Sequence, residues 1–288
     1  MNSHNVFPKI HIHPILLIFI FISFITGTFL ELAIILTIVF IHELGHYVMA
    51  RHFKWRINGI MLWVFGGVLD TDEHGNRPIK EEALVTIAGP FQHVIIHLLL
   101  FFLSFLTFIP SSMIETAIHY NSVILLFNLL PIWPLDGGKL LLLMLSKFLP
   151  YKKAHYSVII SSVLLSISFL ILQIAVYSFT LSTMLIMIFL LMENRREWKQ
   201  RYYVFMRFLL HRYEGASHAS KIQPIRVSSD STIMDVFSQF RRGRKHSIYI
   251  TNSDRQRMVI DENDCLYSFF YKKQYNQPIG EVFVNNIH

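Results

Sequence analysis

The sequence predicts an α-helical polytopic membrane protein: six transmembrane helices with a short membrane-associated strand region, followed by a C-terminal α+β domain. Three observations carry this reading. Of 288 residues, 53% are hydrophobic and only 16% charged, against about 25% charged in soluble domains. The apolar residues gather in long runs, and polarity returns at residue 193 and persists to the end. Within the apolar part, Lys and Arg are confined to one set of loops.

Apolar runs occupy residues 15–30, 32–50, 83–109, 122–133 and 156–192. No small-residue processing site follows the first, so it is expected as a retained helix rather than a cleaved signal. The last run has 37 residues, and one helix of that length would extend roughly 55 Å against a hydrocarbon core of about 30 Å. Two crossings are therefore expected, with a turn near Tyr177 and Ser178. With a cytoplasmic N-terminus, six crossings put residues 51–82, 137–155 and 193–288 on the cytoplasmic side. The ten Lys and Arg of residues 1–192 are Lys9, Arg51, Lys54, Arg56, Arg77, Lys80, Lys139, Lys147, Lys152 and Lys153. All of them then face the cytoplasm, while the outer turns carry only Glu31 and Glu115. This is the positive-inside pattern, and five or seven crossings would break it.

Residues 193–288 hold sixteen Lys and Arg against ten Asp and Glu, so +6 of the formal +7 charge lies there. Arg195, Arg196, Lys199 and Arg201 form a juxtamembrane basic cluster suited to an anionic leaflet. Residues 193–214 are expected as a linker helix along the membrane surface. No compact basic stripe with interleaved stacking aromatics predicts nucleic-acid binding. The single cysteine, Cys265, excludes an intrachain disulfide and suits a reducing compartment. Residues 215–288 read as a separate domain. "IRVSSDSTIMDVFSQF" predicts a strand, a Ser/Asp-rich cap and an amphipathic helix; "HSIYIT" and "RMVID" predict strands, and "ENDCLYSFF" a helix.

The second apolar run contains His42-Glu43-Leu44-Gly45-His46. On a helix, positions i and i+4 share a face, so His42 and His46 can offer imidazole nitrogens to one metal, with Glu43 beside them as a base. Histidines buried for packing are the bland alternative, but unpaired polar groups in a bilayer are costly. A zinc site of this kind needs a third protein ligand. Asp136, in "NLLPIWPLDGGKL", lies at the cytoplasmic end of its helix. The HELGH stretch lies at the same depth, since Arg51, Lys54 and Arg56 follow it. Pro131 and Pro134 break the helix, and Gly137 and Gly138 permit close approach. Asp136 also suits a helix N-cap, a role compatible with ligation. Residues 60–70 are too short to span as a helix and too apolar for an ordinary loop. His93 and His97 share a helix face but lack an accompanying Glu, so they are expected to be structural; His11 and His13 read as interfacial.

The HELGH stretch, followed later by N-x-x-P-x-x-P-L-D-G, resembles the site-2 protease family of intramembrane zinc metalloproteases, and more specifically its members from endospore formers. The likeness runs through "FGGVLD", "EHGNRP", "AGPFQH" and "NLLPIWPLDGGKL". It implies that His42, His46 and Asp136 bind Zn2+, that Glu43 is the catalytic base, and that Asn128 lies near the scissile peptide as a substrate or oxyanion contact. It implies that residues 60–70 form a membrane-dipping strand whose edge could pair with an extended substrate. The tail resembles a single CBS domain, a module that often binds adenine nucleotides such as ATP. Because CBS units pair, a homo-oligomer is expected. The resemblance further implies a membrane-associated substrate, pro-sigma-K, and inhibitory partners, stage IV sporulation protein FA and bypass-of-forespore protein A. The expected location is the mother-cell side of the membrane around the forespore, with both termini cytoplasmic. A class-distinct rival is a zinc-binding transporter or sensor with a nucleotide-responsive domain, but such a protein has no need of a non-ligand acid at Glu43. An inactive scaffold is disfavoured, because all the chemical residues are present.

Overall fold

Proline and glycine divide the apolar half of the chain into helices. The computed structural model describes residues 9–284 apart from 64–65, 72, 107–108, 177–179, 216–220, 252–256 and 276. The chain forms two compact units, residues 1–140 with 178–188 and residues 141–177 with 189–288.

In the first unit, strand β1 (Ile10–Ile12) leads into helix α1 (Pro14–Thr26), which starts on a proline and ends at Gly27. Gly27 has φ 77°, a left-handed conformation that costs glycine little. Helix α2 (Phe29–His52) follows, then strands β2 (Ile57–Trp63) and β3 (Gly66–Thr71). Helix α3 (Ile79–Leu103) begins after Pro78, helix α4 (Ser111–Asn128) after Pro110, and helix α5 (Asp136–Phe148) after the Pro131 and Pro134 turn. The strands form one sheet in the order β1-β2-β3, with β1 parallel and β3 antiparallel to β2. The strand expected within residues 60–70 is thus a hairpin. β1 was not foreseen, because three residues before a helix give no periodic signal. His13 caps α1 by accepting from the Ile15 N–H and stacks on Trp63 at 4.0 Å between ring centroids.

Among the described residues, three helices are long and apolar enough to cross a membrane: Phe29–His52, Ile79–Leu103 and Tyr151–Ala175. Their large side chains outside the core, such as Leu98, Phe101, Ile171 and Ile174, are exposed, as expected of surfaces solvated by lipid. α4 departs from the apolar run at 122–133. It begins eleven residues earlier, at Ser111, and stops at Asn128. Prolines set both limits, and the helix takes in polar residues such as Asn121 that the run excluded.

In the second unit, helix α6 (Tyr151–Val176) ends within the 156–192 run, and helix α7 (Leu181–Tyr213) begins within it too, its residues from 189 onward belonging to this unit; the turn expected near Tyr177 and Ser178 falls outside the described residues. Residues 194–213 are helical but continuous with the apolar part of α7. No Gly or Pro interrupts residues 181–213, so the change at 193 is one of composition only. Then come strand β4 (Lys221–Ser228), helix α8 (Ile233–Phe237), strands β5 (Arg244–Thr251) and β6 (Arg257–Asp261), and helices α9 (Glu262–Phe270) and α10 (Ile279–Val284). The order strand–helix–strand–strand–helix agrees with expectation; α10 is an addition. β4 runs parallel and β6 antiparallel to β5. α8 starts with a capping box between Thr232 and Asp235, the arrangement a Thr-x-x-acid sequence favours.

The core of this unit joins Ile225, Ile248, Ile250, Leu266 and Phe269 to Tyr151 of α6 and to Phe205, Phe208 and Leu209 of α7. A buried ion network ties them further. Arg212 donates through Nε and Nη2 to the two carboxylate oxygens of Glu262, each at 2.8 Å. Glu262 also accepts from the backbone N–H of His246 at 2.8 Å and from its Nδ1 at 3.0 Å. The other ring nitrogen of His246 accepts from the Arg241 backbone at 3.2 Å, so the imidazole is held neutral. Burial pushes the His246 pKa down. For Glu262, burial acts upward, but the His246 hydrogen bond and the Arg212 charge outweigh it and hold the carboxyl below its usual range.

Both depressed groups contribute stability above their unfolded values and lose it on acidification. The unit should therefore loosen as pH falls below 6.5, through His246, and again below 4.5, through Glu262. Cys265 is fully buried here, and its labelling rate relative to a free thiol at the same pH measures the opening. Arg212→Met leaves the Glu262 charge unpaired and should destabilise the unit by about 3–5 kcal/mol, read as faster Cys265 labelling at neutral pH.

Candidate active site and metal centre

Helix α2 carries His42, Glu43 and His46, all buried. What lets α3 reach them is the absence of side chains at the crossing. A Cβ on Gly45 would strike the Ala88 carbonyl and Gln92, and a Cβ on Gly89 would lie on the His42 and His46 rings. Small residues allow helix backbones to approach closely in this way.

Asp136 arrives from the other side. After α4 the chain turns through Leu130, Pro131 and Pro134, and α5 begins at Asp136 itself. Gly137 and Gly138 lie against the backbone of Leu129, Leu130 and Ile132, where a Cβ would not fit. Asp136 Oδ2 is 3.1 Å from His42 Nε2 and 3.1 Å from His46 Nε2, and the two Nε2 atoms are 3.0 Å apart. Asp136 Oδ1 accepts from Lys139 Nζ at 3.2 Å, which leaves Oδ2 for the cluster.

The donor chemistry of this triangle calls for a cation. His46 Nδ1 is 2.7 Å from the Val85 carbonyl, which can only accept, so the His46 proton is on Nδ1 and its Nε2 presents a lone pair. The Nδ1 of His42 is likewise engaged, 3.0 Å from His93 Nε2. Two imidazole lone pairs and a carboxylate oxygen thus converge in a buried space with no proton shared among them. At zinc–ligand distances of about 2.0–2.2 Å, tetrahedral ligand atoms lie about 3.3–3.6 Å apart, a spacing this triangle reaches with shifts of a few tenths of an ångström. Among the described residues these three form the only group of His, Cys, Asp and Glu so arranged. The residues fit Zn2+.

Glu43 is beside the triangle but outside it. Its Oε2 is buried without a hydrogen-bond partner. Strand β3 passes directly over it, because a Cβ on Gly67 would lie on the Glu43 side chain. A buried, unpartnered carboxylate oxygen next to a metal position is suited to holding a water and taking its proton.

The structure brings four of the five expected site residues together: His42, Glu43, His46 and Asp136. Asn128 ends α4, and its Nδ2 donates to the Ile124 carbonyl of its own helix at 3.1 Å. His93, expected to be structural, is hydrogen-bonded to a metal ligand. Asn121, on which the sequence reading was silent, stands behind His93, with its Oδ1 2.6 Å from His93 Nδ1. The available signal is an amide at the edge of the 122–133 apolar run.

Gly89→Ala tests the close crossing. The new methyl sits on fixed backbone where both histidine rings lie, so zinc affinity should fall about 10–100-fold, the range seen when support of a ligand is lost. Competition with a chromophoric chelator measures it.

Comparison with known proteins agrees with this geometry. The sequence profile of Peptidase family M50 matches residues 30–120 and 108–172. Stage IV sporulation protein FB of Bacillus subtilis is 39% identical over 277 residues, 96% of this chain and 96% of its own length. A zinc metalloprotease of Methanocaldococcus jannaschii is 34% identical over 119 residues, 40% of this chain and 34% of its own. The solved site-2 protease from Methanocaldococcus jannaschii superimposes with a TM-score of 0.54 at 26% identity, covering 68% of this chain and 93% of that one. Profile, full-length relative and fold agree with a His-His-Asp triangle flanked by the Glu43 carboxylate, and the chain belongs to peptidase family M50, as an intramembrane zinc metalloprotease.

Proposed function

We propose that this chain is the intramembrane endopeptidase that removes the pro-sequence of a membrane-associated precursor, pro-sigma-K, during endospore formation. The observation that carries the peptidase reading is the Glu43 carboxylate beside the His42–His46–Asp136 triangle; it accepts from the Leu69 backbone and keeps Oε2 without a partner. The likeness to stage IV sporulation protein FB over 96% of both chains supports the sporulation setting and the substrate.

Zinc held by His42, His46 and Asp136 would supply a Lewis acid for the scissile carbonyl and lower the pKa of water to about 7. Glu43 takes the proton from the attacking water and returns it to the leaving amine as the C–N bond breaks, so one carboxyl serves as base and then acid. A helical substrate hides its peptide bonds, and β3 offers a way to hold one extended. β3 ends its sheet, with no strand on its outer edge among the described residues, and Gly67 places that strand against Glu43. An extended substrate added to this edge would present its carbonyls beside the base. Asn128 would contact the substrate or oxyanion by exchanging its bond to Ile124 for one to the substrate.

The six crossings would be α1, α2, α3, α4, α6 and the apolar part of α7, with both termini in the mother-cell cytoplasm. The tail is a CBS-like domain on its strand–helix order, with ATP as its ligand and a second subunit as its pairing partner. Inhibitory membrane partners resembling stage IV sporulation protein FA and bypass-of-forespore protein A complete the proposal.

Co-expression with pro-sigma-K and sizing of the product tests the function. Glu43→Gln should keep one zinc per chain and lose at least about a hundred- to ten-thousand-fold in cleavage, since an amide keeps the shape but takes no proton. Undiminished cleavage would remove Glu43 from the chemistry, and zinc transport surviving without cleavage would favour the transporter rival. In a Cys265→Ser background, cysteines at positions 29 and 112 should react with an impermeant external reagent and one at 152 should not; external labelling at 152 overturns the six crossings.

A further inference from the structure

Two buried polar residues remain without a role in the chemistry above. His93 on α3 and Asn121 on α4 are both completely buried, and polar groups at such positions are costly unless they do something. Their hydrogen bonds run in one direction. Asn121 Nδ2 donates to the His93 backbone carbonyl at 2.9 Å. A carbonyl can only accept, so this bond fixes which end of the amide is which. Asn121 Oδ1 therefore faces His93 Nδ1 at 2.6 Å and must accept from it. With its proton on Nδ1, His93 has a bare Nε2, and this atom is 3.0 Å from His42 Nδ1. The His42 proton is then on Nδ1, and its Nε2 lone pair points into the triangle. An orientation set by a main-chain carbonyl is thus passed through an amide and one imidazole to a metal ligand.

We propose that His93 and Asn121 are positioning residues that fix the tautomer of His42 and keep its Nε2 lone pair turned to the metal. His46 receives the same service directly from the Val85 carbonyl. His42 has no carbonyl of its own in that role and depends on two side chains from α3 and α4. Asn121 Nδ2 also faces His97 Nδ1 at 2.5 Å, and His97 Nε2 is 3.0 Å from Ser122 Oγ. An amide does not pass protons on as an imidazole does, so the string orients a ligand and carries no proton away from the site.

This inference rests on the zinc site, and its test reads metal affinity rather than turnover. In the Glu43→Gln background, zinc affinity is measured by competition with a chromophoric chelator, and coordination by the visible spectrum of bound cobalt. His93→Leu and Asn121→Leu should each weaken zinc about 10–100-fold, the usual cost of losing the partner that orients a ligand. His93→Gln, whose amide oxygen can still accept from His42, should recover most of the loss. Thr116→Ala, whose hydroxyl donates to the Ser112 carbonyl of its own helix, should change nothing. Full zinc affinity in either leucine variant, or no recovery in His93→Gln, overturns the proposal. Should the leucine variants not fold, loss of zinc in His93→Gln, which keeps an acceptor for His42 Nδ1, also overturns it. A parent that holds no zinc would instead refute the metal site itself.

Discussion

Three lone pairs held about 3 Å apart without a proton between them are the constraint on which this molecule turns. Left alone, the acceptor atoms of His42, His46 and Asp136 would repel, and in a buried setting nothing screens them. Their convergence has to be enforced by the surrounding chain. α2 supplies two of them by its period, α3 approaches only because position 89 has no side chain, and the prolines after α4 bring the carboxylate to the same point. Each of these features weakens a helix or restricts its packing, which is the usual cost of holding a reactive site in place.

The helices around the centre also settle its access. β3 covers Glu43 and offers beside it an edge with no strand partner among the described residues. The same backbone that shelters the base is thus suited to recognise a substrate through main-chain bonds, which are nearly blind to sequence. Selectivity among substrates would then have to come from which segments can unwind and reach the edge.

Much of this was legible in the sequence, and for identifiable reasons. HELGH announces itself by spacing alone, and the depth of Asp136 follows from the positive residues after each helix. The resemblance to a protease family added its role. The strands and helices of the tail were readable from alternation and capping residues. The misses share a cause: they lie where the signal is one residue or one turn long. Asn121 is a single amide beside an apolar run, and His93 looked like packing because no acid accompanied it. β1 and α10 are too short to show a period, and α4 was displaced because its limits are set by proline rather than by hydropathy.

No glycine or proline interrupts α7. Phe205, Phe208, Leu209 and Arg212 belong to an uninterrupted helix and also to the second unit's core and ion network. A helix turns about 100° and advances about 1.5 Å per residue. Inserting or deleting one residue between Arg201 and Phe205 would therefore turn Phe205 and Phe208, which pack with Tyr151, by more than a quarter turn relative to Glu197 and Arg201, which engage His155 and Tyr156 of the same helix α6. Ordinary linkers accept such changes freely. This stretch should accept length changes only in steps near three, four or seven residues, which return the side chains to nearly the same face. The number of residues here is fixed by phase as well as by reach.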